Sequence, residues 1–348
     1  MGKISVLMAV YNAEKYLHES LESIRKQTFC DIQIICVDDA STDDSWKILQ
    51  DYATKDARIE VYQMTENRGQ AVARNIALQH AVGDYITFLD ADDWLDVDAF
   101  EKALGVFETS QQADCVLFDV RYVDANGNER GYHWYFPKEQ YMSNSDGSFV
   151  CMKGYDAFIQ SLNWNVHGWY ITKRDIFKKY PYDDTCRHYS DDNTTRVHFR
   201  ASREVRCCTG KYYYRQVENS VTHVVSTSRM DYMKANVSMK NMLLHWHEPE
   251  TVISFYENER WLIVVGSYLF YFLNRKSMTK AQGQYCLAEI RKYWLTIEPK
   301  RLFMANKMKL GYYPFLWKRL PTNVGWTLFR MEEELYFFLK RMMGRIEK

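Results

Sequence analysis

Four short apolar runs rich in β-branched residues, ISVLMAV (4–10), IQIICV (32–37), IEVYQM (59–64) and YITFL (85–89), alternate with stretches of helical periodicity. This alternation constrains the fold more than any other feature of the chain. Between the first two runs, Leu17, Leu21 and Ile24 recur at intervals of four and three residues, the spacing of one helix face. After the second, Ser41, Thr42 and Asp43 offer N-caps for a helix carrying Trp46, Leu49 and Ala53, and 71–81 reads as the next helix. Strands that are apolar along their whole length, each followed by a helix, predict an α/β fold. Its sheet is expected to be largely parallel and covered by helices on both faces.

In an open sheet of this kind ligands bind beyond the carboxyl ends of the strands, where loops and helix N-termini converge. The first strand empties into Tyr11-Asn12 and the second into Asp38-Asp39-Ala40-Ser41-Thr42-Asp43. The third leads to Asn67-Arg68-Gly69 and Ala73-Arg74-Asn75, and the fourth to Asp90-Ala91-Asp92-Asp93. Singly, each segment reads as a turn or a helix cap. Capping does not call for an arginine pair and two acidic clusters on one rim. An EF-hand starting at Asp90 fails because its sixth position, which needs glycine, is Leu95. A strand-end aspartyl phosphohydrolase is disfavoured by Trp94, where such enzymes carry Thr or Val. No P-loop and no GxGxxG follow the first strand.

MAVYNAEKYL, VDDASTDDS, NRGQAVARN and FLDADDW, in this order and spacing, resemble the signature of family 2 glycosyltransferases, whose fold is the nucleotide-sugar-binding GT-A fold. The match is close over about the first hundred residues and continues weakly to about Asn219. The resemblance implies that Asp39 bonds the nucleobase, that Tyr11 and Asn12 shape the nucleotide pocket, and that Arg68 and Arg74 serve the base or diphosphate side. It makes Asp90 and Asp92 the DxD pair, with Asp92 ligating Mn²⁺ or Mg²⁺. Asp192 matches the catalytic base and Asp191 the acid beside it; the Asp183-Asp184 pair competes for that role, and a helix cap is the plain alternative. Arg215, with Tyr214 and Ser220, resembles a closing loop on the diphosphate, while His167 and Trp169 fall in an acceptor-side segment. The implied enzyme is an inverting, metal-dependent transferase of the hexosyl or N-acetylhexosaminyl type. It takes a nucleotide-sugar donor, UDP-linked in preference, to a glycan or lipid-linked acceptor in bacterial surface-polysaccharide assembly. A nucleotidyltransferase shares the sheet and metal logic but wants a glycine-rich loop where this chain has YNAEKY. A non-catalytic glycan-binding scaffold is the rival from another class.

Lys and Arg (45) balance Asp and Glu (45), so the chain lacks the basic excess of a nucleic-acid binder. Eight cysteines show no metal-ligand or disulfide spacing, which fits a reducing cytoplasm, and no export signal or spanning segment is expected. Beyond Ser226 long helical patterns take over, broken at Pro249, Pro299, Pro314 and Pro321, so 1–225 is expected as the nucleotide-sugar domain and 226–348 as a helical C-terminal region. In that region Leu328, Met331, Leu335, Phe338, Met342 and Ile346 recur at helical intervals. They read as the packed face of an ordinary helix. The basic, aromatic segment 300–319 adds a second reading, peripheral contact with the inner leaflet of the cytoplasmic membrane.

Overall fold

The computed structural model describes residues 2–133, 151–185, 187–216, 226–307 and 320–346. Ser220 lies outside them, as does most of the segment 300–319. The chain divides into two compact units, Met1–Ser220 and Val221–Lys348.

The first unit begins with β1 (Ile4–Val10), α1 (Leu17–Arg25), β2 (Ile32–Asp38), α2 (Ser45–Lys55), β3 (Ile59–Gln63), α3 (Gln70–His80) and β4 (Tyr85–Phe88). It continues through β5 (Trp94–Leu95), α4 (Ala99–Thr109), β6 (Ala113–Val123), β7 (Glu129–His133), β8 (Cys151–Lys153), α5 (Gly154–Ser161), β9 (Tyr170–Lys173), α6 (Arg174–Lys179), α7 (Ser190–Ala201) and β10 (Glu204–Arg215). These strands form one sheet ordered β3-β2-β1-β4-β9-β6-β10-β5, with β7 on β6 and β8 on β10. The first four pair in parallel. β9 then runs against both β4 and β6, and β10 is parallel to β6, so β6 and β10 share the direction of the first four. The sheet is mixed but mostly parallel.

β1 shows why the strands are apolar throughout. Ile4, Val6, Met8 and Val10 join Leu17, Leu21 and Ile24 of α1 in one cluster, while Leu7 is also buried. Both faces of the central strand are covered, as a parallel sheet requires. Helix α2 starts later than its cap candidates suggested: Asp44 holds the N-cap position, and Asp43 accepts the Ser45 N–H at 3.0 Å. Ser41 and Thr42 are instead tied to the loop after β1.

The second unit holds α8 (Asp231–His245), α9 (Glu250–Asn274), α10 (Lys280–Thr296) and α11 (Thr322–Met342). Pro249 and Pro321 sit at the N-caps of α9 and α11, where the missing N–H costs nothing, and a Thr279/Gln282 capping box starts α10. The apolar run 261–273 lies within α9, with Trp261, Val264 and Tyr268 in the core. No helix among the described residues is long and apolar enough to cross a membrane. Glu257, fully buried, is neutralised by Lys240 at 2.9 Å and Arg260 at 2.6 Å, the pairing a buried charge requires.

Helix α11 differs from its expected packing. It buries Trp326, Phe329 and Phe337, which meet Trp261, Tyr268, Trp294 and Phe272. Met331, Leu335, Phe338 and Met342 face outward. Bulky aromatics on the neighbouring face won the core, so the helix is apolar on two sides.

Candidate active site

The rim at the ends of β1 and β2 is held together by short polar side chains. Asn12 takes a left-handed conformation (φ 49°), tolerable for asparagine, and its Oδ1 accepts the Thr42 N–H at 2.8 Å. Ser41 Oγ accepts the Asn12 N–H at 3.0 Å, and Ser45 Oγ accepts that of Ala13 at 2.9 Å. Tyr11 leaves its ring half exposed above this loop pair. Asp39 is buried at the end of β2, and its two oxygens accept the Arg68 and Gly69 N–H groups, each at 2.7 Å. Gly69 has φ 96°, where an added Cβ would also meet the Arg187 side chain at 3.0 Å. Asp39 therefore fixes the loop that carries the exposed Arg68.

The acidic turn after β4 has a different support. Arg74 of α3 is fully buried, ion-paired to Asp90 and lying over the rings of Phe88 (4.7 Å) and Tyr182 (5.2 Å). Trp169 Nε1 donates to the other Asp90 oxygen at 3.3 Å, and its ring stacks on Tyr212 at 4.7 Å. Trp169 thus belongs both to the packing and to the acidic turn. Burial, reinforced by the neighbouring Asp90 charge, pushes the Asp92 carboxyl up to about 6. Asp93, not singled out in the sequence, is the buried lock of the turn: it accepts the Arg215 N–H at 2.7 Å and the Tyr212 hydroxyl at 2.9 Å.

Arg215, expected on the diphosphate side, is buried and bonded within the protein. Its Nε donates to the Asp92 carbonyl at 2.9 Å, Nη1 to the Ala125 carbonyl at 3.0 Å, and Nη2 to the Glu19 carboxylate. Tyr16 and Trp94 both lie 4.5 Å from the guanidinium. Each guanidinium nitrogen donates one of these bonds, so Arg215 clasps the acidic turn to β10 and α1.

The second acid pair lies in the first turn of α7, behind Tyr189, which holds the N-cap position in the left-handed region (φ 64°). Asp191 and Asp192 are inside the helix, so neither is its cap. The Asp192 carboxyl is buried, held well above the usual range by desolvation and by the Asp191 charge. Its Oδ1 is 4.0 Å from His167 Nε2, and its Oδ2 is buried without a hydrogen-bond partner among the described residues. Asp191 is raised by burial too; Arg74 opposes that shift and Asp90 adds to it. Arg74 and Asp90 are thus both within electrostatic reach of Asp191. Of the competing pair, Asp183 bonds Thr185 and Asn193, and Asp184 is exposed.

Helix α7 is anchored by His198, whose Nε2 donates to the Tyr180 carbonyl at 2.7 Å while Nδ1 accepts the Tyr170 hydroxyl at 2.7 Å. Burial lowers its pKa from 6.5 to about 4. The unfolded chain therefore takes up the proton first as pH falls. Stability contributed by neutral His198 is fully present above pH 6.5 and is lost towards pH 4, a change of roughly 3 kcal/mol. Urea midpoints measured across this window should fall with pH, and the slope should flatten in His198→Gln.

Fold and site define the class: an α/β protein of the GT-A type with one acid pair beyond β4 and a second in the first turn of α7. A glycosyl transferase family 2 model matches residues 5–169. An uncharacterised glycosyltransferase of Methanocaldococcus jannaschii is 30% identical over 250 residues, 70% of this chain and 79% of that protein. One from Haemophilus influenzae is 46% identical over 129 residues, 37% of this chain and 51% of its own length, so the matched stretch spans about half of that relative. The crystal structure of S. aureus TarS 1-349 in complex with UDP-GlcNAc shares the fold, with a TM-score of 0.68 at 19% identity over 99% of this chain and 93% of that one. The chain belongs to the family 2 glycosyltransferases.

Proposed function

We propose that the protein is an inverting, metal-dependent glycosyltransferase that moves a sugar from a UDP-linked donor to a hydroxyl of a glycan or lipid-linked glycan. The observation that carries this reading is the acidic turn beyond β4, its Asp90 ion-paired to the buried Arg74, together with the buried Asp192 carboxyl, whose Oδ2 has no hydrogen-bond partner among the described residues. The acidic turn serves the donor, Asp192 the acceptor. The UDP-GlcNAc bound by the TarS structure supports the choice of donor.

Among the described residues no three His, Cys, Asp or Glu side chains gather to hold a metal unaided. The donor set nevertheless fits a hard divalent cation. Asp90, Asp92, Asp93, Asp191 and Asp192 outnumber the arginines beside them; burial and the Asp90 charge raise Asp92, and burial with the Asp92 and Asp90 charges raises Asp93. Mn²⁺ or Mg²⁺ takes one or two carboxylates and fills its shell with phosphate oxygens and water; Asp92 would hold it. When bound, such an ion neutralises negative charge on the departing diphosphate.

Tyr11, the Asn12 loop, Asp39 and Arg68 form the nucleotide side. His167 and Trp169 flank the acceptor side. The acceptor oxygen attacks the anomeric carbon opposite the diphosphate, and the new C–O bond forms as the bond to the diphosphate breaks. The electron pair leaves with the diphosphate, and the hydroxyl proton passes to Asp192. One displacement inverts the anomeric centre.

Thermal unfolding with UDP-sugars and Mn²⁺ tests the donor half. Saturating ligand should raise the midpoint by about 5 °C in the native protein, and Asp92→Ala should abolish most of that shift. If no nucleotide stabilises either protein, the transferase reading fails. Stabilisation without nucleotide release during incubation with glycan acceptors would point to a binding scaffold.

A further inference from the structure

The outward face of α11 forms a continuous apolar stripe. Val324, Leu328, Met331, Leu335, Phe338 and Met342 follow one another at intervals of four and three residues, along a helix roughly 30 Å long. Met331 is 63% exposed, Phe338 54% and Met342 73%, and Leu339 and Met343 widen the stripe at its end. Single exposed apolar residues are ordinary; a stripe of this length marks a contact surface.

The charges on the same helix indicate what it contacts. Glu332 and Glu333 are buried on the opposite side, and Glu334 is held by Arg275 at 2.5 Å and by the Tyr268 hydroxyl at 3.1 Å. Arg341 is exposed in the last turn, Arg345 is exposed just beyond the helix end, and Lys340 lies over the Tyr336 ring at the edge of the stripe. The outer side therefore carries apolar side chains and cations, with every acid of α11 turned inward or paired. A second copy of the helix would need opposite charges flanking its seam, and this face has no free acid to supply them. A surface of anionic lipid complements both the stripe and the cations.

We propose that α11 docks on an anionic membrane surface, with Leu335, Phe338 and Met342 entering the boundary between headgroups and acyl chains and Arg341 and Arg345 against lipid phosphates. The contact is independent of the transferase chemistry.

Sedimentation of the full chain with vesicles tests it, using phosphatidylglycerol and phosphatidylcholine in equal amounts against phosphatidylcholine alone. The native protein should pellet with the anionic vesicles only, and less so as salt is raised. The paired substitutions Leu335→Glu with Phe338→Glu, and Arg341→Glu with Arg345→Glu, should each lower the partition coefficient at least about tenfold. These side chains are solvent-facing, so circular dichroism and thermal midpoints should stay near the native values. Equal binding to both vesicles, or binding that neither pair weakens, would overturn the proposal. So would a native dimer that Leu335→Glu with Phe338→Glu converts to a monomer without any vesicle binding, because a second copy would then own the face.

Discussion

Asp192→Asn is expected to lower turnover by about a hundred- to ten-thousand-fold, the contribution of a positioned general base, while leaving UDP binding unchanged within about twofold. The substitution is nearly isosteric, so the buried first turn of α7 should keep its packing. An amide cannot accept the proton of an acceptor hydroxyl. Asp192 suits this role because burial and the Asp191 charge hold its carboxyl well above the usual range, making the ionised form a strong base, and because its buried Oδ2 has no hydrogen-bond partner among the described residues. The pH dependence has a definite sign. The protonated form, inactive as a base, dominates at low pH, so the rate should rise with pH through a midpoint above the ordinary carboxylate range, and the variant should lack that limb. Initial rates of nucleotide release, paired with binding measurements, check both statements. If Asp191→Asn removes the activity and Asp192→Asn does not, the base is Asp191.

The half of the first unit built from β1 to β4 was legible because its physics is local. Each strand is apolar from end to end, each helix shows its period, and the polar residues that follow the strands meet on one rim by topology alone. The acids after β4 were visible for the same reason, yet their supports were not. Nothing in the sequence separates Asp93, a buried lock on Tyr212 and Arg215, from its neighbour Asp92. Helix α7 misleads more directly: SDDNTTRVHFR reads as a solvated segment, but Asp192 through Phe199 is buried without interruption. Its polar groups have partners far along the chain, such as Tyr170 and Tyr180 for His198 and the Ser161 carbonyl for Arg196, and no local pattern announces them. Helix α11 shows the converse problem. Periodicity identified an apolar face, but a helix with two apolar faces buries only one, and the aromatics Trp326, Phe329 and Phe337 took the interior.

Arg215→Met should destabilise the first unit by about 3 kcal/mol, read from urea midpoints, with little change in donor affinity where the variant remains folded. The size follows from what the guanidinium touches. Its loss removes the donors to the Asp92 and Ala125 carbonyls and the cation between the rings of Tyr16 and Trp94. The Glu19 pair adds little to the sum, because that carboxylate is half exposed and can turn to water. The Asp93 carboxylate keeps the backbone N–H at position 215 and the Tyr212 hydroxyl, so the turn should loosen rather than unfold separately. Arg215→Lys should recover less than half of the loss, since one ammonium cannot match three nitrogens fixed in a plane. A residue serving the diphosphate would behave in the opposite way, weakening donor binding about tenfold or more with stability nearly intact. That outcome would return Arg215 to the donor site and remove its role as a clasp.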